Sequence, residues 1–153
     1  MKGLTRALVF GTAALLSTSA IAFGEKGQWS SGWGQGTTEY AAVNQRGDRL
    51  YIACNPYEPV KMTLTAGGRD YGSYGDGDFS LVLDGNEIQT PYETNSRVGE
   101  NNFFYAWEHL RKSHSIVAVT SDGQRVALPS QGSFNVLPEA FTPEYPCRTS
   151  LQI

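Results

Sequence analysis

Cysteine and histidine each occur only twice among the 153 residues, and each scarcity removes a class of chemistry. Structural zinc centres use four Cys or His ligands and catalytic ones three. The two imidazoles, His109 and His114, stand five positions apart at the end of a predicted helix, on different faces. Cys-x-x-Cys, a Gly-x-Ser-x-Gly nucleophile elbow, a phosphate loop and a dinucleotide fingerprint are all missing, which takes away the sequence marks of dithiol, α/β-hydrolase, P-loop and nicotinamide enzymes. Neither enzymatic activity nor a cofactor or metal is expected, and a small hydrolase ranks last. Positive charge is also in short supply, with 12 Lys and Arg against 15 Asp and Glu. The basic residues are scattered, whereas nucleic acid and anionic lipid are held by clustered Lys and Arg.

Long apolar runs are confined to the start. Lys2 and Arg6 precede an apolar stretch from Ala7 to Leu16, followed by a small, polar end with an Ala-x-Ala site at Ala20-Ile21-Ala22, the order of a secretory signal peptide. The run is too short for the roughly 20 residues that cross a bilayer. Cleavage after Ala22 is expected to leave 131 of the 153 residues, with the formal charge moving from −3 to −5 because Lys2 and Arg6 leave with no acid. That length suits one domain, residues 23–153, periplasmic or secreted and without a transmembrane anchor.

In an oxidising compartment, two cysteines have one possible pairing. Cys54 closes the best strand signal, Arg49-Leu50-Tyr51-Ile52-Ala53-Cys54-Asn55, in which Leu50, Ile52 and Cys54 alternate with Tyr51 and Ala53 and share one buried face. A disulfide to Cys147 ties the proline-rich tail back to this strand. Further strands are expected at 37–43, 60–66, 79–83, 87–93, 116–120 and 124–128. Asp84-Gly85-Asn86 and Ser121-Asp122-Gly123 serve as hairpin turns. Arg46-Gly47-Asp48 reads as turn chemistry rather than as an adhesion motif. Residues 55–59, with two prolines, end the Cys54 strand, and residues 94–100 read as a polar loop. Phe103, Phe104, Trp107 and Leu110 fall at helical spacing, so one helix is expected at about 101–113, capped by Asn101 and closed by Arg111 and Lys112. Phe134, Val136 and Leu137 form a short apolar element. About seven strands, one packed helix and one disulfide make a mainly β protein, a small antiparallel sandwich or barrel.

The order of Leu83-Asp84-Gly85, the Phe103/Phe104 to Leu110 helix, Ile116-Val117-Ala118-Val119, Asp122-Gly123, Leu128 and Gly132 resembles bacterial envelope proteins of the invasion-associated locus B type. The resemblance covers about half the mature chain. It implies a non-enzymatic envelope protein and carries no functional residues. The chain departs from that pattern in having no cysteine ahead of the helix, where residues 95–101 hold none.

Two stretches suggest binding. Gln28-Trp29-Ser30-Ser31-Gly32-Trp33-Gly34 reads as too flexible for a regular strand throughout. The favoured reading has one Trp plugging the core; the other has Trp29 and Trp33 stacking against a cell-wall glycan. Arg69 to Asp78 carries alternating glycines, two tyrosines and three aspartates. The aspartates do not follow the spacing of an EF-hand loop, so the stretch reads as a solvated connection between strands. Tyrosine gives large contact area at low entropy cost, which makes Tyr71 and Tyr74 the expected contacts, with Asp76 and Asp78 complementing a basic partner. The expected function is an exported protein-binding module whose partner is another envelope protein, such as a secretion component or an enzyme that it inhibits or confers immunity to.

Overall fold

A computed structural model describes residues 23–153; the leader expected over residues 1–22 lies outside the described residues. The fold is mainly β, in two antiparallel sheets. The first is a meander of β1 (Trp29–Gly34), β2 (Thr37–Val43), β3 (Arg49–Asn55), β4 (Glu58–Ala66) and β5 (Arg69–Gly72), each strand beside the next. The second holds β6 (Phe79–Leu83), β7 (Asn86–Gln89), β8 (Ile116–Thr120) and β9 (Arg125–Leu128) in the order β7-β6-β8-β9. Helix α1 (Arg97–Lys112) connects β7 to β8; a single turn of helix, α2 (Ser133–Val136), and a 3-10 turn (Ser150–Gln152) follow. Among the described residues no helix is long and apolar enough to cross a membrane.

One core joins the two sheets and the helix. Leu50, Ile52 and Cys54 of β3 are buried on its inward face, as their alternation predicts, and Met62 and Leu64 of β4, Leu81 and Leu83 of β6 and Ile116 and Ala118 of β8 repeat the period. Phe103, Ala106, Trp107 and Leu110 supply the buried side of α1. The Trp107 ring stands edge-on to Tyr40 at 5.4 Å and to Tyr145 at 5.3 Å. Its indole N–H donates to the Pro138 carbonyl at 2.9 Å, so the largest core side chain leaves no polar atom unpaired. Cys54 and Cys147 are bonded, across 93 positions of sequence. Beside that bridge the Val60 N–H donates to the Arg148 carbonyl at 2.8 Å, fixing the tail along β4.

Several boundaries differ from the expectation, each for a non-local reason. Residues 29–34 form a regular strand because β2 pairs with all six of them. The Phe23 ring also lies over Gly32, where a Cβ would meet it at 3.1 Å. Residues 69–72, expected within a connection, pair with β4 as β5. The turn after β3 is shorter than 55–59: β4 begins at Glu58, and a register shift between Ala53 and Asn55 lets Pro59, which has no N–H to donate, stand inside a strand. The strand expected over 87–93 stops at Gln89, before Pro91. Helix α1 starts at Arg97, and its cap is Ser96, not Asn101; the Ser96 hydroxyl accepts from the Gly99 N–H at 3.0 Å. Gly99 permits this early start, since a Cβ there would stand 2.0 Å from the Glu93 carbonyl oxygen. Nine strands among the described residues replace the expected seven.

Candidate functional site

The Gly-rich stretch is built, not loose. Gly72 takes φ +92° as β5 ends, and its N–H donates to the Gly77 carbonyl at 2.7 Å, closing residues 72–77 into a compact loop. Inside it the Gly75 N–H donates to the Gly72 carbonyl at 3.2 Å and the Asp76 N–H to the Asp70 carbonyl at 3.2 Å. A Cβ on Gly75 would stand 2.1 Å from the Asp70 carbonyl oxygen, so no other residue fits the closed loop as it stands. Ser73 anchors it to β4 twice: its N–H donates to the Met62 carbonyl, and its hydroxyl accepts from the Met62 N–H, both at 2.9 Å. Tyr74, the next residue, is 62% exposed and reaches over the outer face of the five-stranded sheet.

A cleft of about 290 Å³ opens there, lined by Tyr51, Ala53, Lys61, Tyr74 and Glu39 and rimmed by Gln35, Thr37, Asn55 and Glu58. The register explains its shape. Ala53 lies between Glu39 on β2 and Lys61 on β4, so one small residue leaves a hollow between longer ones. The Tyr51 hydroxyl donates to Glu39 Oε1 at 2.5 Å. Burial, then this bond and the nearby Glu39 charge and Tyr74 hydroxyl, hold the Tyr51 phenol well above its ordinary range. The Arg49 guanidinium lies 5.3 Å from the centre of the same ring.

The residues singled out in the sequence scatter. Tyr74, Asp76 and Asp78 are exposed together on the loop and its exit, with Asp78 Oδ1 accepting from the Tyr92 hydroxyl at 2.6 Å. Tyr71 is not a contact residue: it is 1% exposed, faces inward from β5, and its hydroxyl donates to Asp122 Oδ2 and accepts from Gln124 Nε2, both at 2.9 Å. Trp29 and Trp33 do not form a stacking pair, because Trp29 is 3% exposed with its indole N–H on the Pro129 carbonyl at 2.9 Å, while Trp33 is 74% exposed. Trp29 takes the core-plugging place. His109 stacks on Tyr105 at 4.0 Å, away from the cleft. Among the described residues no group of three or more His, Cys, Asp or Glu side chains is placed to hold a metal ion.

No local pattern in the sequence marks Glu39, Tyr51, Lys61 and Glu58 as members of one site. Their signal is parity alone: Tyr51 and Ala53 are among the residues of β3 that do not alternate into the core. In the sequence Asp48 carries only the mark of turn chemistry. Its carboxylate accepts from Asn44 Nδ2 at 3.0 Å and from the Gly67 N–H at 3.1 Å, and pairs with Arg46 at 3.1 Å. The Asn44 bond first, then Gly67 and Arg46, hold this acid below the usual carboxylate range.

Fold and site together define a two-sheet β domain with one packed helix, a disulfide-tethered tail and a polar cleft on the outer face of its larger sheet. The chain belongs to the YfjT family, which matches residues 27–137, a span that includes Cys54 and the cleft strands and stops before Cys147. It is 28% identical over 134 residues to the "Uncharacterized protein YfjT" of Escherichia coli (strain K12), the match covering 82% of this chain and 83% of that one. No solved structure matches.

Proposed function

We propose that this chain is an exported, non-enzymatic protein-binding module of the cell envelope, and that its cleft receives a basic side chain from the partner. The observation behind this reading is the pairing of two tyrosines, Tyr51 and Tyr74, with two carboxylates, Glu39 and Glu58, around a hollow floored by Ala53. Carboxylates form charge-assisted hydrogen bonds with ammonium or guanidinium groups, and tyrosine rings attract the same cations through their faces. A hollow of about 290 Å³ suits one long side chain. Asp76 and Asp78, exposed on the loop and its exit, add negative surface charge, and an expected mature charge of −5 steers basic partners toward the surface. Lys61, on the far side of Ala53, meets a carbonyl or carboxylate of the same segment and so orients it. The disulfide supports export, since such bonds persist in oxidising compartments, and a periplasmic or secreted location follows from the leader read in the sequence.

The test is capture from envelope extract with the purified protein as bait, comparing wild type, Tyr74→Ala and Glu39→Gln at two salt concentrations. Capture is expected to fall with each variant and with salt while circular dichroism stays unchanged. Capture indifferent to both variants removes the cleft from the function.

A further inference from the structure

Among the described residues four strands lie at sheet edges: β1, β5, β7 and β9. Three are four residues long and charged, with Arg69 and Asp70 on β5, Glu87 on β7 and Arg125 on β9, the features by which sheets discourage further pairing. β1 is six residues, Trp29-Ser30-Ser31-Gly32-Trp33-Gly34, with neither charge nor proline. Its Trp29 N–H points away from β2 and donates to the Gln131 carbonyl at 2.9 Å. Backbone groups alternate in direction along an antiparallel strand, so Ser31 and Trp33 also turn their N–H and C=O to the free side. Both residues are exposed, and among the described residues no strand pairs with this side of β1.

We propose that β1 is a homotypic docking edge, pairing antiparallel with β1 of a second copy of this chain about a twofold axis at Gly32. In that register Ser31 and Trp33 of one copy exchange four N–H···O=C bonds with Trp33 and Ser31 of the other. The edge is self-complementary. Gly32 opposes Gly32, which brings the two Phe23 rings, each lying over its own Gly32, side by side; each Trp33 indole lies opposite a Ser31, and no charge on either strand repels its copy. The length is matched as well. The edge position beside Trp29 is filled by Gln131, and the second strand would end there of its own accord, because Gln35 and Gly36 turn away with φ +51° and +80°. Two five-stranded sheets become one of ten strands, burying both Trp33 rings at the joint.

Sedimentation velocity on the purified protein across the micromolar range tests this. Wild type is expected to double its mass with concentration, and Trp33 amide exchange to slow in parallel. Ser31→Pro removes an outward N–H that β2 does not use, and Trp33→Lys places a charge on the edge; each is expected to weaken self-association by about tenfold or more. If Ser31→Pro fails to fold, Trp33→Lys decides the matter. A wild type that stays monomeric throughout overturns the proposal, as does a dimer that both variants leave intact. Loss of a different protein on Trp33→Lys, with no self-association in wild type, also overturns it, assigning the edge to a heterologous strand. Failure here leaves the cleft reading untouched, because Tyr74 and Glu39 lie on the outer face and not at the edge.

Discussion

Cutting the covalent link between β3 and the tail is the perturbation with the most calculable outcome. Cys54 and Cys147 close a loop of 93 positions, most of the 131 residues expected in the mature chain. Chain entropy for a loop of that length gives about 4.5 kcal/mol of stabilisation, acting through the unfolded state. Small domains have about 5–15 kcal/mol in all, so the loss is a large share. Both sulfurs are buried, so replacing the pair with alanine adds about 1 kcal/mol for vacated space. The measurement is urea unfolding of wild type and of the Cys54→Ala/Cys147→Ala double variant, followed by intrinsic tryptophan fluorescence. With a slope of about 2 kcal/mol/M the midpoint is expected to fall by about 2–3 M, while the near-UV spectrum of the native state is preserved. A loss under about 1.5 kcal/mol would refute the entropic reasoning. It would mean that the unfolded chain already keeps β3 and the tail close together, so that cutting the bond frees little entropy.

Two further outcomes follow from the site and its supports. Gly75→Ala places a Cβ 2.1 Å from a backbone oxygen and is expected to cost about 2–3 kcal/mol in urea unfolding and to abolish partner capture by opening the 72–77 loop; Gly34→Ala, with open space around it, stays within about 0.5 kcal/mol. Asp48 has its carboxylate held below the ordinary range in the folded state. Its stabilisation is therefore complete above the unfolded carboxylate value of about 3.9 and is lost as pH falls through the lower folded value. Asp48→Asn is expected to cost about 1–3 kcal/mol at neutral pH and to flatten the acid limb of the stability curve; an acid limb as steep as that of wild type would contradict the assignment.

What was legible in the residues is what depends on near neighbours. Asp84-Gly85 announced its hairpin because both residues adopt positive φ, +46° and +84°, as a tight two-residue turn demands. Leu50, Ile52 and Cys54 announced an inward face through a period of two, and two cysteines admitted one bridge. Phe103, Trp107 and Leu110 marked the helix, but its start did not show, since Ser96 can cap only where Gly99 lets the chain approach Glu93. Tyr71 and Tyr74 looked equivalent in one glycine-rich run. Pairing with β4 made residues 69–72 a strand, turning Tyr71 inward to Asp122, and the loop after Gly72 brought Tyr74 out over Tyr51. Trp29 and Trp33 were divided in the same way, one by the Pro129 carbonyl and the other by lying near the strand's open end.

The sequence by itself determined a β-rich chain with one helix and a single covalent closure, because alternation, turn residues and cysteine count are properties of short stretches. Which side chains meet in the cleft, and which strand edge stays open, was decided only by the tertiary structure. Glu39, Tyr51 and Lys61 become neighbours through strand register, and register is settled by burying one face of every strand at once.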